Sequence, residues 1–269
     1  MEAKNILITG VSGGMGYETA KAFLNKGYKV YGLDAKDSCD LEIDYYKTDL
    51  TDINQVEKAF ESISAKTDKL DMICHFAGIY NMASLIEMSE QDFVKIFNVN
   101  LFAQYRINKV FFPLLKQGSK ILITSSELAP LYPLPFTGIY AITKTAVERY
   151  AQSLRMELNL LGIKVIILRP GAVKTNMISA STTALDKLCN NTQIYKTNTK
   201  RFKKIVDSVE SKTITPYKLA KKVISIEKKR NPKFNYSINH NFLLKLLNIL
   251  PQRWQVGVIK AILKPKKTK

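Results

Sequence analysis

Cysteine is scarce in this chain of 269 residues: Cys39, Cys74 and Cys189 are widely spaced and odd in number, with no Cys-x-x-Cys pair. Such usage excludes a disulfide framework and a paired zinc or redox motif, and it points to a reducing compartment. No metal site is expected. The start of the chain is equally bare. MEAK runs straight into the strand-like NILITG, which leaves no room for a charged region, an apolar stretch and a cleavage site, so a cytoplasmic location is expected. Acidic residues are few, 23 against 41 Lys and Arg, for a net charge of +18. The 46% apolar content, in contrast, is that of a globular protein and excludes a mainly disordered one. This length holds one large core, and a single domain is the simpler reading.

The shortage of acids is uneven. From Lys212 onward fifteen Lys and Arg face one acid, Glu227, so +14 of the +18 lies in the last 58 residues. A tail of this kind suits nucleic acid, anionic lipid or an acidic partner, or serves solubility alone. No motif for reading bases accompanies the charge, and attraction to a phosphate backbone by itself gives only salt-sensitive, nonspecific binding. No specific nucleic-acid partner is expected.

Along the chain, short β-branched runs alternate with helical periods. NILITG is followed by a glycine cluster and the helical YETAKAFLNKG, which Gly27 closes before the strand KVYGLDA. YYKTDL, a helix from about Ile53, the strand LDMICHFAG and a long helix capped by Ser89 continue the alternation. KILITSS, the helix carrying Tyr140 and the strand KVIILRPG complete it. Strands apolar on both faces and joined by helices predict a Rossmann-type α/β fold, a doubly wound parallel sheet covered on both sides. Residues 176–214 are rich in Thr, Asn, Ser and Lys and predict a lid of short helices. Thr215 and Pro216 have the character of an N-cap and first residue for the next helix. The domain division expected is a catalytic unit over 1–240 and a basic amphipathic extension over 241–269.

Between the first strand and helix stands Thr9-Gly10-Val11-Ser12-Gly13-Gly14-Met15-Gly16, where backbone N–H groups and the helix dipole can hold a pyrophosphate. Asp34, ending the second strand, is placed to accept hydrogen bonds from ribose hydroxyls, and its charge repels a 2′-phosphate; NAD is therefore favoured over NADP. Asp49 with Leu50 is a candidate border for the adenine, and Asp49 is equally a candidate cap for the next helix. Tyr140 and Lys144 are four apart and share one helix face, so the ammonium can sit beside the phenol and favour its ionised form. Acid-base chemistry is the corresponding expectation. In isolation Tyr-x-x-x-Lys is common on solvated helices, and each remaining candidate has a plain structural reading as a strand end, a kink or a cap.

In combination, TGVSGGMG, Asp34, FAG at 76–78, VNLF around Asn100, ILITSS, Tyr140 with Lys144, and RPGAVKT at 169–175 resemble the classical short-chain dehydrogenase/reductase family over residues 4–235. The resemblance implies that Tyr140 exchanges a proton with a carbonyl or alcohol oxygen, and that Lys144 lowers the phenol pKa and holds the nicotinamide ribose. It implies further that Ser126 hydrogen-bonds the substrate oxygen and that Asn100 fixes a water beside Lys144. Gly10, Ser12, Gly13, Gly14, Met15, Gly16, Asp34, Asp49, Leu50, Ala77, Gly78, Pro170, Gly171, Val173 and Thr175 become the cofactor-binding set, with Thr175 orienting the carboxamide.

Two departures from the family pattern stand out. Ser126 precedes Tyr140 by fourteen positions rather than the usual thirteen, which would fall on Glu127; one residue inserted in the loop APLYPLPFTG accounts for this. His75-Phe76-Ala77-Gly78 replaces Asn-Asn-Ala-Gly, and altered cofactor affinity is the expected result, with His75 a structural strand-end histidine.

The expected pocket walls, Leu128–Phe136, Tyr80–Leu85 and the lid after Met177, are apolar and suit a steroid-, retinoid- or lipid-like alcohol or ketone. The tail resembles extensions of retinol- and hydroxysteroid-type members. Phe242, Leu243, Leu246, Leu247 and Leu250, then Trp254, Val258, Ile259 and Ile262, recur at helical spacing. Lys245, Arg253 and Lys260 interrupt them too often for a membrane span of about 20 apolar residues. Two helices in an anionic membrane interface, or packed on the subunit or a neighbour, are the two readings. A homodimer or homotetramer is expected by analogy, through helices near 92–115 and 139–160. Alternatives to an NAD(H)-dependent oxidoreductase are an epimerase or dehydratase and a catalytically silent nucleotide-binding regulator.

Overall fold

The computed structural model describes residues 3–209 and 213–264, apart from the side chains of 176–180, 209 and 243. Met177 at the start of the expected lid wall, Leu243 of the tail, and the basic terminus beyond 264 therefore lie outside the described side chains.

Among the described residues, seven parallel strands form one sheet in the order β3-β2-β1-β4-β5-β6-β7. They are β1 (Asn5–Thr9), β2 (Lys29–Asp34), β3 (Asp44–Lys47), β4 (Leu70–His75), β5 (Leu115–Thr124), β6 (Lys164–Pro170) and β7 (Asn235–Ile238). The order reverses between β1 and β4, and ligands of open parallel sheets bind beyond the carboxyl ends of strands at such a switch point. Both faces are covered. Leu7, Leu33, Ile73, Ile121 and Ile167 point to one core, and Ile6, Ile8, Met72, Leu122 and Ile166 to the other. Successive strand residues thus feed opposite layers, which is why these strands read as continuous apolar runs. The Rossmann-type expectation holds.

The helices are α1 (Gly14–Leu24), α2 (Ile53–Ser64), α3 (Glu90–Phe97), α4 (Ala103–Val110), α5 (Gly138–Asn159), α6 (Asn176–Asn191), α7 (Lys196–Val209), α8 (Pro216–Glu227), α9 (Phe242–Ile249) and α10 (Gln252–Leu263). Ser89 and Thr215 cap α3 and α8 by accepting from the backbone N–H groups of Asp92 and Lys218. Asp49 caps nothing. Asp52 is the N-cap of α2, while Asp49 accepts from the backbone N–H and hydroxyl of Thr51.

Three features differ from the sequence expectation. The long helix after Ser89 is interrupted by a π-turn, Asn98–Phe102, between α3 and α4. The lid is two helices of 16 and 14 residues, α6 and α7, rather than several short ones. Strand β7 was not anticipated: NYSI is too short to show a period, and pairing with β6 supplies its partners.

The extension packs on the subunit. Leu263 is buried with Met82, Leu185, Leu188 and Phe202, and Ile259 lies against the same cluster. Asn248 Oδ1 accepts from the Tyr132 N–H at 2.7 Å. The opposite surface stays open: Phe242, Ile249 and Trp254 are 72%, 77% and 66% exposed. Among the described residues no helix is long and apolar enough to cross a membrane.

Candidate active site

The glycine loop lies between the ends of β1 and β4 and the start of α1. Gly10 has φ +73°, and a Cβ there would meet Ala77 N at 2.6 Å; at Gly16 it would meet the Gly10 carbonyl oxygen at 2.1 Å. No side chain caps the amino end of α1, and the only atom a Cβ on Gly13 would approach is Lys36 Nζ, at 3.8 Å. A side-chain-free cradle over a helix amino terminus suits a pyrophosphate, so the residues present fit a dinucleotide.

Asp34 is at the rim of this loop, accepting from the N–H groups of Ser12 at 3.0 Å and Lys36 at 3.1 Å. Ser12 Oγ lies 3.3 Å from the Tyr45 hydroxyl. Thr175 packs on the opposite side, its Cγ2 3.1 Å from the position of a Cβ on Gly14. Met15 and Val173 belong to one core cluster, and Ala77 N donates to Thr9 Oγ1 at 3.3 Å. Asp49 borders an open cleft of about 620 Å³ with Thr51, Val94, Asn98 and Val99, whereas Leu50 is buried in the core.

Tyr140 and Lys144 face inward from α5, 7% and 5% exposed. Ser126, two residues past the end of β5, accepts from the Leu128 N–H at 3.2 Å and lies near enough to Tyr140 to pull the phenol pKa down. This placement favours Ser126 over Glu127, whose carboxylate is turned to Gly171 and the Asn241 N–H. The intervening loop ends in Phe136 with φ 66°, a strained value for a bulky side chain. Its ring stacks at 5.4 Å on Tyr195 and 5.6 Å on Phe202, which hold it there.

The ionisation differs from the expectation. Burial pushes the Tyr140 phenol up to about 12, with the Ser126 contact pulling the other way. Burial pushes Lys144 down to about 8. Lys144 Nζ donates to the Thr124 carbonyl at 3.0 Å and stands 5.7 Å from the Tyr140 ring centre. Its charge is thus spent on a backbone oxygen, and desolvation governs the phenol.

Asn100 sits in the π-turn, fully buried. Its Oδ1 accepts from Ile79 N at 2.8 Å, and its Nδ2 donates to the Ile79 carbonyl at 3.0 Å and Thr143 Oγ1 at 3.2 Å. A Cβ on Gly78 would lie 3.3 Å from Asn100 Oδ1, closer than most such contacts, and 3.8 Å from Lys144 Nζ. π-turns interrupt helices mostly at functional positions. His75 is structural in its contacts: it is buried, its Nε2 lies 2.8 Å from Asn108 Oδ1, and burial depresses it to about 4.

Sequence reading missed Lys36 and Thr143, and it named Glu127 only as the position thirteen before Tyr140. Lys36 Nζ lies 3.3 Å from the Ser12 carbonyl oxygen, and its position two residues after Asp34 was the available signal. The Thr143–Asn100 and Glu127–Asn241 contacts carried none, because the partners are remote in sequence.

Tyr80 stacks on Tyr140 at 4.6 Å between ring centres. Tyr80, Leu134 and Phe136 join the Met82, Leu185 and Phe202 cluster, so the expected apolar walls do meet. Glu87 fastens the turn between α6 and α7, accepting from Thr192 Oγ1 and the Gln193 N–H, each at 2.7 Å. A second cleft, about 750 Å³, lies between Leu85, Pro133–Phe136 and α10. Neither cleft is walled by Ser126, Tyr140 or Lys144.

The family model for short chain dehydrogenases matches residues 4–186. A probable short-chain type dehydrogenase/reductase of Helicobacter pylori, VdlC, is 30% identical over 265 residues, covering 95% of this chain and 96% of that protein. The 3-ketodihydrosphingosine reductase of Bacteroides thetaiotaomicron is 27% identical over 240 residues, 88% of each chain. A short chain dehydrogenase family protein of Francisella tularensis superposes with a TM-score of 0.73 at 23% identity, over 88% of this chain and 97% of that one, a likeness of fold. A match across most of the sheet, and a relative aligned along nearly its whole length, place this chain in the short chain dehydrogenase family, as an oxidoreductase acting on CH–OH groups with a nicotinamide cofactor.

Proposed function

We propose that the chain is an NAD(H)-dependent enzyme interconverting an apolar secondary alcohol and its ketone. The observation that carries this reading is the burial of Tyr140 and Lys144 together, with Ser126 beside the phenol and with the Tyr80 ring linking Tyr140 to an apolar cluster of Met82, Leu134, Phe136, Leu185 and Phe202. Nicotinamide, when bound, supplies or accepts the hydride. Tyr140 Oη gives its proton to the carbonyl oxygen in reduction and removes it from the alcohol in oxidation. Ser126 donates to that same oxygen, and Lys144 holds the nicotinamide ribose. Asn100 keeps the 78–80 turn and α5 in register through Ile79 and Thr143, and Thr175 orients the carboxamide. Gly10, Ser12, Gly13, Gly14, Met15, Gly16, Asp34, Asp49, Ala77, Gly78, Pro170, Gly171 and Val173 line the dinucleotide.

Asp34 selects NAD, with Lys36 the opposing influence. The lipid-like substrate is supported by the apolar wall and by the sphingoid ketone in the name of the Bacteroides relative. The exposed Phe242, Ile249 and Trp254, with Lys245, Arg253 and Lys260, form a surface suited to an anionic bilayer. Exposed Phe93, Phe102, Tyr105 and Met156 on α3 to α5 supply faces for a homodimer or homotetramer.

The test is a panel of 3-ketodihydrosphingosine, a ketosteroid, retinaldehyde and a small polar ketone, followed by nicotinamide absorbance with NADH and with NADPH. Wild type should reduce at least one apolar compound with NADH, and Tyr140→Phe should lose at least about a hundredfold in kcat, the scale of general acid catalysis. Activity surviving that substitution would remove the proton-transfer role. A preference for NADPH would transfer cofactor selection from Asp34 to Lys36.

A further inference from the structure

Ser126 and Tyr140 meet across the gap between the end of β5 and α5, and nothing in their local sequence fixes that gap. Two consecutive residues at the strand end are tied to one face of the helix, four positions apart. Thr124 accepts from Lys144 through its carbonyl at 3.0 Å, Ser125 Oγ donates to Glu148 Oε1 at 2.8 Å, and Ser126 follows directly, beside Tyr140. Residues i, i+4 and i+8 lie along one stripe of a helix, so the two ties hold the strand end against the stripe that also carries Tyr140.

Glu148 has a further attachment. Arg169 grips it with both arms of its guanidinium, Nε to Oε1 at 2.7 Å and Nη2 to Oε2 at 2.6 Å. Arg169 is the penultimate residue of β6, immediately before Pro170 and Gly171. The two strand ends are also joined directly, Ser125 N–H to the Leu168 carbonyl at 2.8 Å and Glu127 N–H to the Pro170 carbonyl at 3.0 Å. The side chains of Glu148 and Arg169 are 13% and 21% exposed, and Ser125 is buried at 1%. A shielded, bidentate pair has a stiffness that exposed ion pairs lack.

We propose that Glu148 and Arg169 are positioning residues for the reaction, setting the Ser126 hydroxyl against the Tyr140 phenol by clamping the ends of β5 and β6 to α5. The proposal rests on the acid-base reading of Tyr140 and assigns no contact with substrate or cofactor to either residue. A displacement of about 1 Å among reacting groups is enough to cost about a hundredfold in rate. Losing the clamp therefore lowers kcat while leaving KM nearly unchanged. Because the Ser126 contact holds the phenol pKa down, loosening it also moves the acid limb of alcohol oxidation to higher pH.

The experiment compares wild type, Glu148→Ala, Glu148→Gln, Ser125→Ala and Tyr140→Phe, using the best substrate of the ketone panel and its alcohol. Hydrogen exchange of the segment 121–130 is measured on the same proteins without substrate. Lys4→Ala, which breaks a 2.6 Å pair with buried Glu227 at the amino ends of the strands, controls for general destabilisation. We expect Glu148→Ala to lose at least tenfold in kcat with KM within threefold, to shift the acid limb upward by at least half a pH unit, and to exchange at least tenfold faster over 121–130. Glu148→Gln, which keeps an acceptor for Ser125, should recover part of each effect. Lys4→Ala should lower the melting temperature with no change in pH profile. Wild-type kcat, pH limb and exchange in Glu148→Ala, with Tyr140→Phe inactive, would overturn the clamp and leave the acid-base reading intact. An active Tyr140→Phe would instead sink the reading beneath it. If Glu148→Ala fails to fold, Ser125→Ala decides on the same kinetic and exchange readouts, and wild-type behaviour there overturns the proposal.

Discussion

Lys144 offers a measurable consequence that requires no substrate. Burial lowers its pKa from 10.5 to about 8. Each unit corresponds to about 1.4 kcal/mol, so the cation is disfavoured by about 3 kcal/mol relative to water. The sign is that of a base whose folded pKa lies below its unfolded value. The burial cost is fully present below about pH 8 and is relieved as the pH rises toward 10.5, and above about 8 the free protein holds a neutral amine. If Lys144 binds the nicotinamide ribose as an ammonium, NADH binding above pH 8 must take up a proton, and Kd should rise up to tenfold per unit. Between pH 7 and 9.5 the weakening is about thirtyfold, or about 2 kcal/mol. Tyr140, at about 12, does not titrate in this window. Calorimetric titration with NADH across that range, in two buffers of different ionisation enthalpy, reports both Kd and proton uptake; Lys144→Met should show neither dependence. A Kd constant within threefold for wild type, or the same slope in Lys144→Met, would refute the assignment of the cation to cofactor binding.

His75 makes the fold acid-sensitive. Its pKa is lowered from 6.5 to about 4, so below pH 6.5 the unfolded chain takes a proton that the folded one refuses, and stability falls by up to about 3 kcal/mol as the pH drops to 4. Urea unfolding at pH 7 and 4.5 should show this loss, and His75→Asn should flatten it; an unchanged pH dependence in the variant would show that other groups cause it. The extension should carry vesicle binding through its open face rather than its packed one. Combined Phe242→Ser, Ile249→Ser and Trp254→Ser should lower flotation with phosphatidylserine-containing vesicles at least tenfold without lowering the melting temperature, and unaltered flotation would count against a bilayer contact. Deletion of 241–269 is the poorer test, because it also exposes the cluster that Leu263 helps bury.

Much of this molecule was legible along the chain because its signals are local. Apolar runs identify strands buried on both faces, and bare glycines mark a close approach of backbone. A separation of four places Tyr140 and Lys144 on one helix face. The same locality explains the errors. NYSI is four residues long and becomes a strand only beside β6. The tail is amphipathic on either reading, and the structure buries one face and exposes the other.

The sequence by itself determined the alternation of strands and helices, the glycine loop and the placing of Tyr140 and Lys144 on one helix face, since each depends on residues within a few positions of one another. Tertiary structure alone turned the Glu127 carboxylate to the Asn241 N–H, and it joined Glu148 to Arg169 across 21 positions. It also reversed the expected ionisation of Tyr140. The reason is physical: a pKa and a hydrogen-bond partner depend on which remote segments exclude water from a group, and that is fixed only when the sheet closes against its helices.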